Sequence, residues 1–142
     1  MDKKMKSWIG FWLKRNYRSI CNYLDHELEQ YNITNSQLGV LLILWESDGT
    51  SQKVVQQTLG ITPASITNLI KGLENKGLII RRVDPNDSRA NLMYLTDKGK
   101  ALEERCLTIV EKAEVIVRKG FSPEETMILR LWLQRVHKNI EI

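Results

Sequence analysis

The sequence predicts a mainly α fold with a small β-wing: a winged helix-turn-helix carried between longer N- and C-terminal helices. Three observations lead there. Apolar residues recur at helical spacing over most of the 142 residues. Two short amphipathic helices are separated by only Gly60 and Ile61. A β-like run, a dense turn and a second β-like run follow them directly. Residues 1–142 are expected to form one domain, with the winged lobe at 33–96 and flanking helices at 7–31 and 97–140.

Taken in order, Ile9, Leu13, Tyr17, Ile20, Leu24 and Leu28 sit at spacings of three and four and mark one face of a long first helix. Trp8, Phe11 and Trp12 thicken that face at its start, more aromatic surface than a small monomer usually buries alone. Asn32-Ile33 breaks the pattern, and Thr34 with Gln37 forms a capping-box pair that opens a second helix to Glu46. Its face of Leu38, Leu41, Leu42 and Trp45 is expected to be buried, and Ser47-Asp48-Gly49 ends it.

Thr50 or Ser51 caps a short third helix with Val54, Val55 and Leu59, which Gly60 terminates because glycine adopts the left-handed conformation without steric cost. Thr62-Pro63 opens the fourth, with a capping hydroxyl and a proline preset at the first helical position. Ile66, Leu69, Ile70 and Leu73 mark its buried face. Leu78-Ile79-Ile80, the turn Asp84-Pro85-Asn86-Asp87 and the run Asn91 to Leu95 read as a β-hairpin. Thr96 caps a fifth helix ending at Gly120, with Leu102, Cys106, Ile109, Ala113 and Val117 on one face. Ser122-Pro123-Glu124-Glu125 opens the last helix, with Ile128, Leu129, Trp132, Leu133, Val136 and Ile140 as its stripe.

Composition narrows the function. Apolar residues at 42% and charged residues at 27%, with three Pro and eight Gly, describe an ordinary globular chain. The net charge of +4 is a mild bias toward polyanions, and its distribution says more. Residues 1–20 carry six Lys and Arg against one acid, residues 21–49 carry five acids and no Lys or Arg, and residues 50–95 carry six Lys and Arg against three acids. The longest apolar run, Leu38 to Trp45, is too short to span a bilayer, and no small-residue cleavage site follows Trp8–Leu13. The expectation is a cytoplasmic protein without a membrane segment.

In the fourth helix Pro63, Ala64, Ser65, Thr67, Asn68 and Lys71 lie away from the buried face. Short polar groups behind a Thr62 cap suit phosphate capture and base-edge hydrogen bonding in a major groove about 12 Å wide. A plain solvated surface is the alternative reading of the same residues. The hairpin shifts the balance, because Arg81, Arg82 and Arg89 fall within it and an arginine at a hairpin tip fits a narrow minor groove. Asp87 stands two residues before Arg89, where it can orient the guanidinium. The candidate DNA-binding set is therefore Thr62, Pro63, Ser65, Thr67, Asn68, Lys71, Arg81, Arg82, Asp87 and Arg89.

These residues resemble the MarR (multiple antibiotic resistance regulator) family of transcription factors. Asp87-Ser88-Arg89, then Leu95-Thr96 and Gly99, is similar to its wing signature. Leu59-Gly60-Ile61-Thr62, Ile66-Thr67, Leu73-Glu74 and Lys76-Gly77-Leu78-Ile79 follow in the family's order. The resemblance implies a homodimer whose N- and C-terminal helices are dimerisation helices and whose two lobes read a pseudo-palindromic operator, usually as a repressor. It further implies Arg89 as the minor-groove arginine, Asp87 as its partner, and a small aromatic or lipophilic effector. Many members carry arginine after Ile-Thr where this chain has Asn68, and asparagine favours adenine over guanine edges.

Several single residues admit both a functional and a plainer structural role. Trp8, Trp12, Tyr17 and Trp45 are candidates for an effector pocket, with core or dimer interface as the alternative. Cys21 and Cys106 are expected to be buried structural cysteines, and the family's peroxide-sensing position falls near Ile9 instead. His26 and His137 stand alone, with no metal-ligand spacing, so no metal and no cofactor are expected. No nucleophile elbow, phosphate-binding loop or carboxylate pair suggests an enzyme. The competing function is a dimeric winged-helix protein-interaction module without specific DNA binding.

Overall fold

The computed structural model describes residues 4–141. After a single turn at Met5–Ser7 the chain forms α1 (Ile9–Leu28), a further turn at Glu29–Tyr31, α2 (Asn35–Glu46), β1 (Thr50–Ser51), α3 (Gln52–Leu59) and α4 (Pro63–Asn75). The hairpin strands β2 (Ile79–Asp84) and β3 (Asp87–Leu95) follow, then α5 (Asp97–Ala101), α6 (Glu103–Arg118) and α7 (Pro123–Ile140).

The core lies in the lobe between α2 and the sheet. α2 is apolar nearly all round, and Leu38, Val40, Leu41 and Leu44 are all buried. Val55 of α3, Ile66, Ile70 and Leu73 of α4, and Ile79 and Met93 of the hairpin close over it. Leu28 and Cys106 join this core from α1 and α6. Leu42, Trp45 and Leu69, expected to be buried, are only half-buried against its margin. The capping box forms as the sequence implies: the Gln37 N–H donates to Thr34 Oγ1 at 3.1 Å and the Thr34 N–H to Gln37 Oε1 at 3.2 Å.

The sheet has three antiparallel strands in the order β1-β3-β2. β1 is not foreseen by the sequence, because two polar residues carry no period; the pairing of Thr50 with Met93 and Ser51 with Leu92 makes it a strand. Ser51 still caps α3, accepting from the Val54 N–H at 3.2 Å.

The single fifth helix expected from Thr96 to Gly120 is two helices, α5 and α6, meeting at Leu102. Tertiary packing decides this. Gly99 lies so close to the Leu78 carbonyl that an added Cβ would collide with its oxygen. Trp45 Nε1 donates to the Gly99 carbonyl at 3.0 Å. Anchored on both sides, the first turn follows the sheet and leaves α6 to pack along α1.

The terminal helices bury little. Leu28 is the only buried residue of α1. α7 has none, although Ser122 and Glu125 close a full capping box at its start. Trp132 is 58% exposed, and Met127, Leu131, Leu133 and Ile140 are exposed with it. Cys106 is buried, and burial pushes its thiol pKa up. Cys21 corrects the expectation of a buried cysteine: it is half-exposed on α1 beside Tyr17, whose phenol pKa is raised chiefly by their hydrogen bond.

Candidate nucleic-acid interface

Local chemistry sets the turn between α3 and α4. Gly60 closes α3 at φ 66°, its N–H donating to the Gln56 and Gln57 carbonyls at 3.0 and 3.2 Å. Thr62 then caps α4, its Oγ1 accepting from the Ser65 N–H at 3.1 Å and its hydroxyl donating to Ser65 Oγ at 2.9 Å. Pro63 occupies the first turn.

With Ile66, Ile70 and Leu73 held in the core, Thr62, Pro63, Ser65, Asn68 and Lys71 are exposed. Thr67 is half-buried, and its hydroxyl donates to the Pro63 carbonyl at 2.9 Å. Its donor is thus engaged within the helix, leaving the oxygen as an acceptor.

The hairpin separates the three arginines that sequence groups together. Arg81 pairs across the sheet with buried Met93, on the face that carries buried Ile79, and its Nε lies 3.0 Å from Glu74 Oε1 on α4. Arg82 alternates to the other face, opposite Leu92. Arg89 stands beyond the register shift at Val83/Asp84, near the tip. There Asp87 Oδ1 accepts from both the Arg89 N–H at 3.0 Å and the Arg89 Nε at 3.4 Å.

Sequence reasoning passes over two contacts. Glu74 enters it only as part of a motif, yet it ties α4 to the wing. Lys76 donates to the Asn32 carbonyl at 2.6 Å and to Gln37 Oε1 at 2.7 Å, tying the end of α4 to the start of α2. A Glu seven residues before an Arg across a glycine turn could have signalled the first. The second joins positions 39 and 44 residues apart, and no local pattern carries it.

A groove of about 700 Å³ opens between α1, α2 and the α3–α4 turn, reaching Tyr17, Asp25, Gln37, Ser65 and Asn68. Of the four aromatics considered for an effector pocket, Tyr17 alone lines it. Trp45 is bonded to Gly99, while Trp12 Nε1 donates to the Lys6 carbonyl at the N-terminal end of α1 and Trp8 is exposed there. Among the described residues, no group of three or more His, Cys, Asp and Glu side chains could hold a metal ion. No helix among them is long and apolar enough to cross a membrane.

An exposed helix beside a hairpin with an arginine near its tip defines a winged helix-turn-helix protein. The MarR family model matches residues 33–90. The organic hydroperoxide resistance transcriptional regulator of Bacillus subtilis (strain 168) is 30% identical over 106 residues, 75% of this chain and 72% of that protein. The uncharacterized HTH-type transcriptional regulator YdgJ of the same organism is 34% identical over 108 residues, 76% of this chain but 66% of that protein, just under two thirds of its length. The S. aureus MepR–DNA complex superposes with a TM-score of 0.88 at 28% identity, covering 94% of this chain and 98% of that one. The chain belongs to the MarR family.

Proposed function

We propose that this protein is a sequence-specific double-stranded DNA-binding transcriptional regulator, acting as a homodimeric repressor on pseudo-palindromic operators. The single observation that carries the proposal is the pairing on one lobe of the exposed α4 face with an arginine held near the wing tip. The similarity to MepR, solved as a DNA complex, supports it. In this reading Thr62, Pro63, Ser65, Thr67, Asn68 and Lys71 face the major groove, Arg82 meets the backbone, and Arg89, held by Asp87, enters the minor groove.

Two recognition helices of a dimer must sit about 34 Å apart to read successive turns of DNA. Residues 33–96 form the reading lobe, and residues 7–31 and 97–140 pair the copies. The apolar faces of α1 and α7, exposed within one chain, support that assignment. A small aromatic or lipophilic effector in the Tyr17–Asn68 groove would release DNA by favouring a dimer with different spacing. The protein acts by binding rather than catalysis, in the cytoplasm.

The test is a binding titration of the purified protein against fragmented DNA from its own genome, at two salt concentrations. Salt-sensitive retention of a few palindrome-bearing fragments is expected. Salt-insensitive or indiscriminate retention would reject the proposal in favour of a protein-interaction module.

A further inference from the structure

Glu74 is placed where a carboxylate is doubly unfavourable. It is the penultimate residue of α4, at the negative end of the helix dipole, and no basic residue occupies that last turn. It also lies on the helix proposed to approach phosphates. The next cation along the chain, Lys76, is turned away onto the Asn32 carbonyl and Gln37. What meets Glu74 is Arg81, Nε to Oε1 at 3.0 Å, both side chains about a third exposed (37% and 28% for Arg81 and Glu74).

The position of Arg81 gives the pair its leverage. Arg81 lies on the α4-facing side of β2, opposite Met93, two residues before the register irregularity at Val83/Asp84. Beyond that irregularity the hairpin runs out to Asp87 and Arg89 with exposed side chains. The ion pair therefore joins α4 to the last regular part of the wing, and small rotations there are magnified at the tip.

We propose that Glu74 and Arg81 form a clamp that sets the angle between the reader helix and the wing. Arg81 is then a positioning residue rather than a phosphate contact, and Glu74 contributes to operator recognition although DNA repels its charge. This rests on the DNA-binding reading for its purpose, but the clamp itself exists in the free protein.

Charge arithmetic and clamp geometry predict opposite signs for one substitution. Removing the negative charge in Glu74→Gln would by electrostatics alone tighten DNA binding; loss of the clamp would weaken it. The experiment compares Glu74→Gln, Arg81→Gln, the double variant and Arg82→Gln with the unmodified protein, each shown to be folded by its melting curve. Amide hydrogen exchange of residues 82–91 is read without DNA, and operator affinity is read across salt concentrations.

The clamp predicts faster wing exchange in both single variants, about two- to fivefold weaker operator binding in each, as for a partly exposed ion pair, and no further loss in the double variant. It predicts an unchanged salt slope for Arg81→Gln but a slope smaller by about one for Arg82→Gln. Arg81→Lys, which keeps a cation within reach of Glu74, should restore part of the protection. Unchanged wing exchange overturns the clamp, with or without DNA binding. So does a reduced salt slope in Arg81→Gln accompanied by equal or tighter binding in Glu74→Gln. Absence of salt-sensitive binding in the unmodified protein would instead count against the DNA-binding reading, and the exchange data would still decide the clamp.

Discussion

Asp87 and Arg89 form a closed unit near the tip of the wing, one carboxylate oxygen accepting from both the backbone N–H and the Nε of the same arginine. The Arg89 side chain is 91% exposed, so beyond Asp87 little restrains it. The Asp87 contact biases the direction of the guanidinium before it meets a partner, which reduces the entropy lost on binding.

Arg89→Ala should therefore lower operator affinity by about 1–3 kcal/mol while leaving the melting temperature unchanged. Asp87→Ala should cost less and act through the same arginine, so the double variant should be no weaker than Arg89→Ala alone. A titration of the three variants checks this. Operator affinity that does not change in Arg89→Ala would sink the wing assignment.

Gly99→Ala should destabilise the fold by about 1–3 kcal/mol, since its Cβ would meet backbone rather than a movable side chain. Gly10→Ala makes the opposite case: it lies in α1 with nothing within 4 Å of an added Cβ, and should stabilise by about 0.5–1 kcal/mol. Thermal melting of the two proteins side by side tests whether packing or backbone freedom governs each glycine.

Leu131→Glu places a charge in the exposed apolar face of α7, where the chain itself buries nothing. The expected result is a monomer by sedimentation, with operator binding lost although the lobe at 33–96 stays folded. A variant that remains dimeric would remove α7 from the interface.

Cys106 should resist alkylation in the native protein while Cys21 reacts, because burial disfavours the thiolate at Cys106. The linkage has a definite sign. A thiol whose folded pKa is raised holds its proton longer when folded, so its contribution is fully present below the unfolded value of about 8.5 and is lost as pH rises above it. Stability should fall in that alkaline range, and less so in Cys106→Ala once its own packing loss is subtracted. Denaturant titrations between neutral and alkaline pH measure the difference.

Local signals carried most of the architecture. Thr34/Gln37, Ser51, Thr62-Pro63 and Ser122/Glu125 each cap the helix their spacing implies, because a cap is a contact between residues three apart. The failures are long-range. β1 exists only because β3 passes beside it, and the break at Leu102 follows from contacts of Gly99 with Leu78 and Trp45. For the interface, the exposed residues of α4 could be read from helical phase. The division of labour among Arg81, Arg82 and Arg89 could not, since it depends on sheet register and on Glu74 across a turn.

The bare apolar face of α7 has a consequence for gene dosage. When the DNA-competent unit needs two chains, its abundance at low concentration varies as the square of the protomer concentration, so halving the protomers leaves about a quarter of the pairs. Repression would then switch over a narrow range of expression rather than fade in proportion to it, and a modest change in synthesis or dilution could carry a promoter from closed to open.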